Sequence, residues 1–171
     1  MEKILLIIII LLLKNILKFT FNIYYFLSIL YYSMMYSIDI DYGRQNEIII
    51  YDKLKLFFDD ANLKELGYYD EFDYSNDDGS LLCELKSRRC DYNEYNDSMI
   101  NCSKLNKCKR LTRNKNKKIE IHFFFYFKKS DLYYWKYNET DDIRYGEGGR
   151  TDRPNSIKKY AYISRNLLTR V

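Results

Sequence analysis

Proline occurs once in the 171 residues, glycine six times and histidine once. So little proline and glycine excludes a collagen-like or linker-rich architecture, and no Pro- or Gly-rich stretch separates one domain from another. A lone imidazole, His122, cannot build a multi-histidine metal site, and inside an apolar run it is expected to face solvent or a hydrogen-bond partner. G-x-S-x-G, H-E-x-x-H and Walker A patterns are missing. Gly146-Glu147-Gly148-Gly149 opens no helix, so it is expected to be a flexible turn and not a phosphate cradle. Tyr74 to Leu85 places Asn76, Asp78 and Gly79 where an EF-hand loop wants them, but Tyr74 and Leu85 stand where its two anchoring carboxylates belong. Carboxylates are plentiful between Asp59 and Asp78, with nothing apolar evident around them to raise one pKa over another. These absences imply a protein that is not an enzyme and carries no cofactor.

Aromatic residues are abundant. Nineteen tyrosines and ten phenylalanines bring the aromatic share to 18%, with 47% of the chain hydrophobic and 30% charged, which excludes a disordered polymer. The length suits one ordinary domain with an appendage. Twenty-eight basic and 24 acidic residues leave a formal charge of +4, too balanced to name a partner class by itself.

The appendage comes first. Lys3 precedes Ile4 to Leu13, an unbroken apolar run of the length of a signal-peptide core. After Lys14, Asn15 and Lys18, a second stretch from Phe19 to Ile38 is apolar or aromatic apart from Thr20, Asn22, Ser28, Ser33 and Ser37, and by length it suffices to span a bilayer. Residues 1–37 are thus expected to be a signal peptide cleaved near Ser37, or an uncleaved signal anchor held by residues 19–36; a start at Met34 or Met35 is a third option. Three N-glycosylation sequons follow, at Asn96, Asn101 and Asn138. All four cysteines, Cys83, Cys90, Cys102 and Cys108, lie in one window after the leader, and an even count in an exported domain reads as two disulfides. Spacing leaves all three pairings open. Zinc is the weaker alternative, because no C-x2-C knuckle is present.

From residue 38 onward the hydrophobic period is mostly two. Lys118 to Lys128 puts Ile119, Ile121, Phe123, Phe125 and Phe127 on one face and Glu120, His122, Phe124 and Tyr126 on the other, with Leu132 to Tyr137 as the second arm of a hairpin. Further strands are expected at Glu47 to Tyr51, Leu54 to Phe58, Leu81 to Leu85 and Ile157 to Ile163, with a helical turn at Asn62 to Gly67. The fold expected is mostly β: a single antiparallel β-sandwich over residues 38–171, preceded by a hydrophobic helical leader. Charge is segregated within it. Eight carboxylates crowd Asp59 to Asp78, and eight cations crowd Lys104 to Lys118 in what reads as a basic loop. That loop either faces the acidic one or binds an anionic surface through Lys107, Lys109, Arg110, Arg113, Lys115 and Lys117. Nucleic acid is not an expected partner, since no aromatic-interleaved motif accompanies the lysines.

Several segments, in order, resemble the transthyretin-like family of small secreted nematode proteins. They are the apolar leader, Ile48 to Asp52, the acidic stretch with Asp59, Asp60 and Leu63, and Asp77-Asp78-Gly79-Ser80-Leu81-Leu82. After these come Cys102 and Cys108 with Lys109-Arg110 behind them, and Tyr145 to Gly149 ahead of Lys158 to Ile163. The resemblance covers about half of residues 46–168, and the family's early cysteine has no counterpart. It implies a sandwich of seven or eight strands, export, no catalysis, and binding of an extracellular protein, lipid or glycan. A membrane partner enters only if the leader stays uncleaved.

Overall fold

The run from Glu120 to Tyr126 has no charged or flexible residue after its first position, and both of its faces carry bulky side chains. Such a strand is stable only if covered on both sides. In the computed structural model it is. The structure describes residues 2–59, 62–67, 69–114, 117–149 and 157–171, with the side chains of 2–12 and 130 outside that description. It divides into two compact units, Met1–Asp41 and Tyr42–Val171.

Among the described residues the order is α1 (Glu2–Phe58), β1 (Lys64–Glu65), β2 (Tyr74–Ser75), β3 (Leu81–Ser87), β4 (Asp97–Asn101), α2 (Cys102–Thr112), β5 (Glu120–Tyr126), β6 (Leu132–Lys136), β7 (Arg144–Gly148), β8 (Lys158–Ser164) and β9 (Thr169–Arg170). Six strands form one sheet in the order β1-β2-β3-β5-β6-β9, and three form a second in the order β4-β8-β7. Most neighbours are antiparallel, including the β5–β6 hairpin, in which Phe123 faces Trp135 and Phe125 faces Tyr133. β3 and β5 run parallel, with Cys83 opposite His122 and Leu85 opposite Phe124. The expectation of a purely antiparallel fold is corrected at this pair. Parallel neighbours need a crossover, and here the chain leaves β3, adds β4 to the other sheet and returns through α2.

The two faces of β5 feed two cores. Ile121, Phe123 and Phe125, with Phe127 beyond the strand, pack with Trp135, with Leu105 and Cys108 of α2, and with Ile100, Ala161 and Ile163 of the smaller sheet. Phe124 and Tyr126 pack on the opposite side with Cys83, Leu85, Leu132 and Tyr74 and with Ile50 and Leu54 from the last part of α1. The alternation expected for this strand matches that division.

Two other expectations are corrected by α1. Glu47 to Tyr51 and Leu54 to Phe58, expected as strands on their β-branched and aromatic content, lie in its C-terminal part. Asn46, Ile50 and Leu54, four residues apart, form its buried stripe, and burial at that spacing overrides the local β propensity. Tyr51 donates to the Leu63 carbonyl at 2.6 Å, while the Tyr74 hydroxyl donates to the Glu47 carbonyl at 3.0 Å. Asn62 to Gly67 is no helical turn, since Lys64 and Glu65 pair with Ser75 and Tyr74.

The expected basic loop is helical from Cys102 to Thr112. Asn101 caps it by accepting from the Ser103 amide, and Leu105 and Cys108 are its buried residues. Lys109 and Arg110 sit in its last turn, where they complement the helix dipole. Gly146 and Gly148 belong to strand β7, not to a free turn. A Cβ on Gly148 would lie 2.5 Å from the Tyr162 hydroxyl and 3.1 Å from the Met99 sulfur, so the close approach of β7 requires glycine there.

The helical register of α1 makes a prediction that a strand would not. Leu54 is 0% exposed and Leu56 82%. Leu54→Ala should lower the free energy of unfolding by about 2–5 kcal/mol, whereas Leu56→Ala should change it by less than about 0.5 kcal/mol. Equal losses in urea titrations would place both side chains on one face, as a strand does.

Candidate functional site

Among the described residues, the Tyr42–Val171 unit has a cleft of about 320 Å³. Its walls come from the connection between β3 and β4, from β4 itself, from Phe127, and from Tyr162, Arg165 and Leu168 on and after β8. The surroundings are stiff. Tyr92 stacks on Tyr133 with centroids 3.7 Å apart and planes 3° from parallel, and Phe127 meets Tyr92 edge-on at 5.5 Å. Four charged side chains line the space. Asp97 is paired with Arg144 at 2.7 Å and Asp91 with Lys129 at 2.9 Å. Arg88 donates to the Met99 carbonyl and lies 5.8 Å from the Phe125 ring. Arg165 lies 5.5 Å from the Tyr92 ring and donates to Asn93 at 3.2 Å.

A second cavity, of about 480 Å³, is lined by Arg44, Glu47, Glu65, Asp70, Asp73 and Tyr74, among others. Burial, followed by the nearby Glu84 carboxylate, pushes Asp73 up to about 6, and burial also raises Glu47. The expectation that nothing here would raise a carboxylate is therefore corrected. Asp73 lies between the buried side chains of Phe72 and Tyr74, and its Oδ2 accepts from the amide of Leu85, twelve residues further on. Glu84 is itself buried and is held by Lys86 and by Lys104 at 2.8 Å.

His122 is corrected as well. It is 5% exposed; neither ring nitrogen makes a hydrogen bond, the nearest acceptor being Glu120 Oε2 at 3.6 Å from Nε2. Phe58 lies edge-on at 5.0 Å and Phe124 near-parallel at 6.3 Å. Burial, followed by the Lys136 cation, holds the ring below its ordinary pKa, so it sits neutral in an aromatic wall.

The cations expected to meet an anionic surface are mostly engaged within the molecule. Lys107 pairs with Glu71, Lys109 with Glu139 at 3.0 Å, and Arg113 takes Glu139 with its Nε at 3.0 Å. Lys117 donates to the Asp78 carbonyl. Arg110 is exposed and has no ion-pair partner among the described residues; Lys115 lies outside them. The acidic and basic stretches face each other, the blander of the two expectations.

All four cysteines are free thiols. Cys102 and Cys108 stand six residues apart on one helix, about 9 Å along its axis, beyond the roughly 7 Å limit between bridged Cα atoms. Cys83 is opposite His122, whereas the Cys90 carbonyl accepts from Lys128, at the other end of β5. Both short-loop disulfides are thus corrected: neither closes in this fold. Cys83 and Cys108 are also buried in different cores. Burial pushes the Cys108 thiol up to about 12 and raises Cys83, which favours the protonated thiol at both; burial also raises the half-buried Cys90.

Of the sequons, Asn138-Glu139-Thr140 is exposed at all three residues, with Asn138 Oδ1 accepting from the Thr140 amide and hydroxyl. Asn96 is exposed, but Ser98 is buried in β4. Asn101 is committed to capping α2.

The Met1–Asp41 unit is the N-terminal part of α1. Its large apolar residues from Leu13 to Ile38, apart from the half-buried Met35, are exposed around the helix, Phe21 at 72% and Tyr24 at 80%. Ile16, Phe19, Ile23, Phe26 and Leu30 follow one stripe, and Tyr24, Tyr25, Tyr31, Tyr32 and Tyr36 follow another. Thr20 and Ser28 turn their hydroxyls back to the carbonyls of Leu17 and Tyr25, so these side chains ask nothing of the surroundings. Among the described residues, no helix is long and apolar enough to cross a membrane. The tyrosines and serines of Phe19 to Ile38 account for that shortfall, which length alone did not show.

No family model, curated protein or solved structure matches the chain. What the sites can do therefore rests on their own geometry.

Asp73 gives the measurable consequence. Its folded pKa of about 6 lies above the ordinary carboxylate value, so the unfolded chain ionises first as pH rises. Stability should fall between about pH 4 and pH 6 by an amount on the order of 2 kcal/mol and stay lowered above that window. Asn in its place can still accept the Leu85 amide that Asp73 Oδ2 holds at 2.6 Å. Asp73→Asn should accordingly be more stable than the parent at pH 7 and equal to it near pH 3.5 in denaturant titrations. A variant less stable at pH 7 would contradict the assignment.

Proposed function

We propose that the protein is a non-enzymatic binding protein directed out of the cytosol by its N-terminal helix, the role that the transthyretin-like resemblance implies. One observation carries the reading. The cores of the Tyr42–Val171 unit are assembled from its own residues, beginning at Ile50, while the large apolar side chains from Leu13 to Ile38, Met35 apart, are exposed around their helix. A helix apolar all round is stable in a low-dielectric setting and not in water. Lipid or a translocation channel supplies that setting, and the self-satisfied hydroxyls of Thr20 and Ser28 suit it.

We read the two sheets as layers of a sandwich, supported by the core that draws on β5 and β6 from one sheet and β4 and β8 from the other. This scaffold holds the cleft at the β3–β4 connection, and the cleft is the binding site we assign. A membrane-anchored ectodomain is the second reading. It is favoured by the helical conformation at Ser37 and its neighbours, which presents no extended segment for cleavage there.

Expression of the full chain in eukaryotic cells tests export. The protein should enter the secretory pathway and carry an endoglycosidase-sensitive glycan that Asn138→Gln removes. A folded, unmodified chain confined to the cytosol would contradict the proposal. Intact Met1 on the exported protein would select the anchored form.

A further inference from the structure

The cleft between the β3–β4 connection and the Arg165 turn combines features that specify a ligand class. Its two carboxylates already have cations: Asp97 has Arg144 at 2.7 Å and Asp91 has Lys129 at 2.9 Å. Its two arginines have no carboxylate among the described residues. Arg88 is answered by the Met99 carbonyl and the face of Phe125, and Arg165 by the Asn93 side-chain oxygen and the face of Tyr92. The lining charges themselves balance, and Asp91 Oδ1 is buried without a hydrogen-bond partner, but with Lys129 and Arg144 answering the two carboxylates, Arg88 and Arg165 are left with no anionic partner among the described residues. Burial holds the Arg88 guanidinium below its ordinary value, as a cation short of anionic company would be. A guanidinium in such surroundings gains most from a planar carboxylate, which its fork of donors fits.

The rest of the wall is apolar or aromatic. Met99, Phe127 and Leu168 supply flat or flexible hydrocarbon, and Tyr92, fixed against Tyr133, supplies a preorganised ring. A volume of about 320 Å³ suits a small molecule and not a folded partner.

We propose that this cleft binds a small carboxylate with an aromatic body, its charge answered by Arg88 and Arg165 and its ring lodged against Tyr92, Met99 and Phe127. The inference rests on the reading of the Tyr42–Val171 unit as a binding domain and adds the chemistry of what is bound.

The test uses the purified full chain in non-ionic detergent and two probes, 3-phenylpropionate and its uncharged amide, with binding followed by saturation-transfer NMR. The acid should bind at least about tenfold more tightly than the amide, the worth of one charge-assisted contact. Arg165→Gln should remove most of that preference while leaving the far-UV spectrum and melting temperature unchanged. Arg88→Met should do the same; where it fails to fold, Arg165→Gln carries the test. Leu168→Trp, which fills the cleft, should abolish binding of both probes. Acid and amide binding alike, with both lost in Leu168→Trp, would remove the carboxylate and leave the binding domain standing. Binding that persists in Leu168→Trp, or no binding of the acid, would overturn the inference and leave export untouched.

Discussion

The structure depends on burying β5 from both sides. A strand with Phe123 and Phe125 on one face and Phe124 and Tyr126 on the other has no face to offer to water. Each face needs its own covering layer: residues of the smaller sheet and α2 pack on one side, and the end of α1 packs on the other, beside the same-face residues of the neighbouring strands β2 and β3. Each buried phenylalanine contributes about 2–3 kcal/mol of transfer free energy. That gain offsets the cost of placing His122 in the second layer with neither nitrogen hydrogen-bonded.

The same constraint explains the topology. A strand flanked on both edges and covered on both faces belongs at the centre of a sheet, and β5 gains a parallel neighbour in β3 and an antiparallel one in β6. The parallel neighbour demands a crossover, and the crossover creates the site. The connection that leaves the end of β3 carries Arg88 and Tyr92, then becomes β4, which joins β8 in the other sheet. The cleft lies where that connection passes between the two sheets, which is why its walls come from segments far apart in sequence.

Elements whose sidedness follows from local alternation were legible: β5 and its hairpin partner β6, the strand at Leu81 and the strand near Lys158 all lie where a period of two placed them. Legibility failed where burial was decided by distant partners. Ile48 to Ile50 look like a strand, but Tyr74 and Leu63 across the domain select the helical stripe of Ile50 and Leu54. Lys104 to Lys118 look like a solvated loop because charge hides the apolar positions Leu105, Cys108 and Leu111; an asparagine cap followed by that spacing was the available sign. The cysteine count suggested staples, but a count carries no distances, and strand and helix geometry hold the nearest pairs apart. The raised Asp73 was legible only in part: Phe72 and Tyr74 flank it in the sequence, but Glu84 and Leu85 reach it through the fold. Of the cleft, no part was legible, because Arg88 and Arg165 have no local pattern that marks them.

Free thiols do not conflict with export. Cys83 and Cys108 are fully buried in different cores, away from one another and from solvent. What export does require is that the apolar N-terminal unit act as an address. Synthesis of a C-terminally tagged full chain in the presence of microsomes, followed by protease, reads this most directly. The account predicts that the tagged Tyr42–Val171 unit survives until detergent opens the vesicles, whereas digestion of the tag in intact vesicles would contradict it.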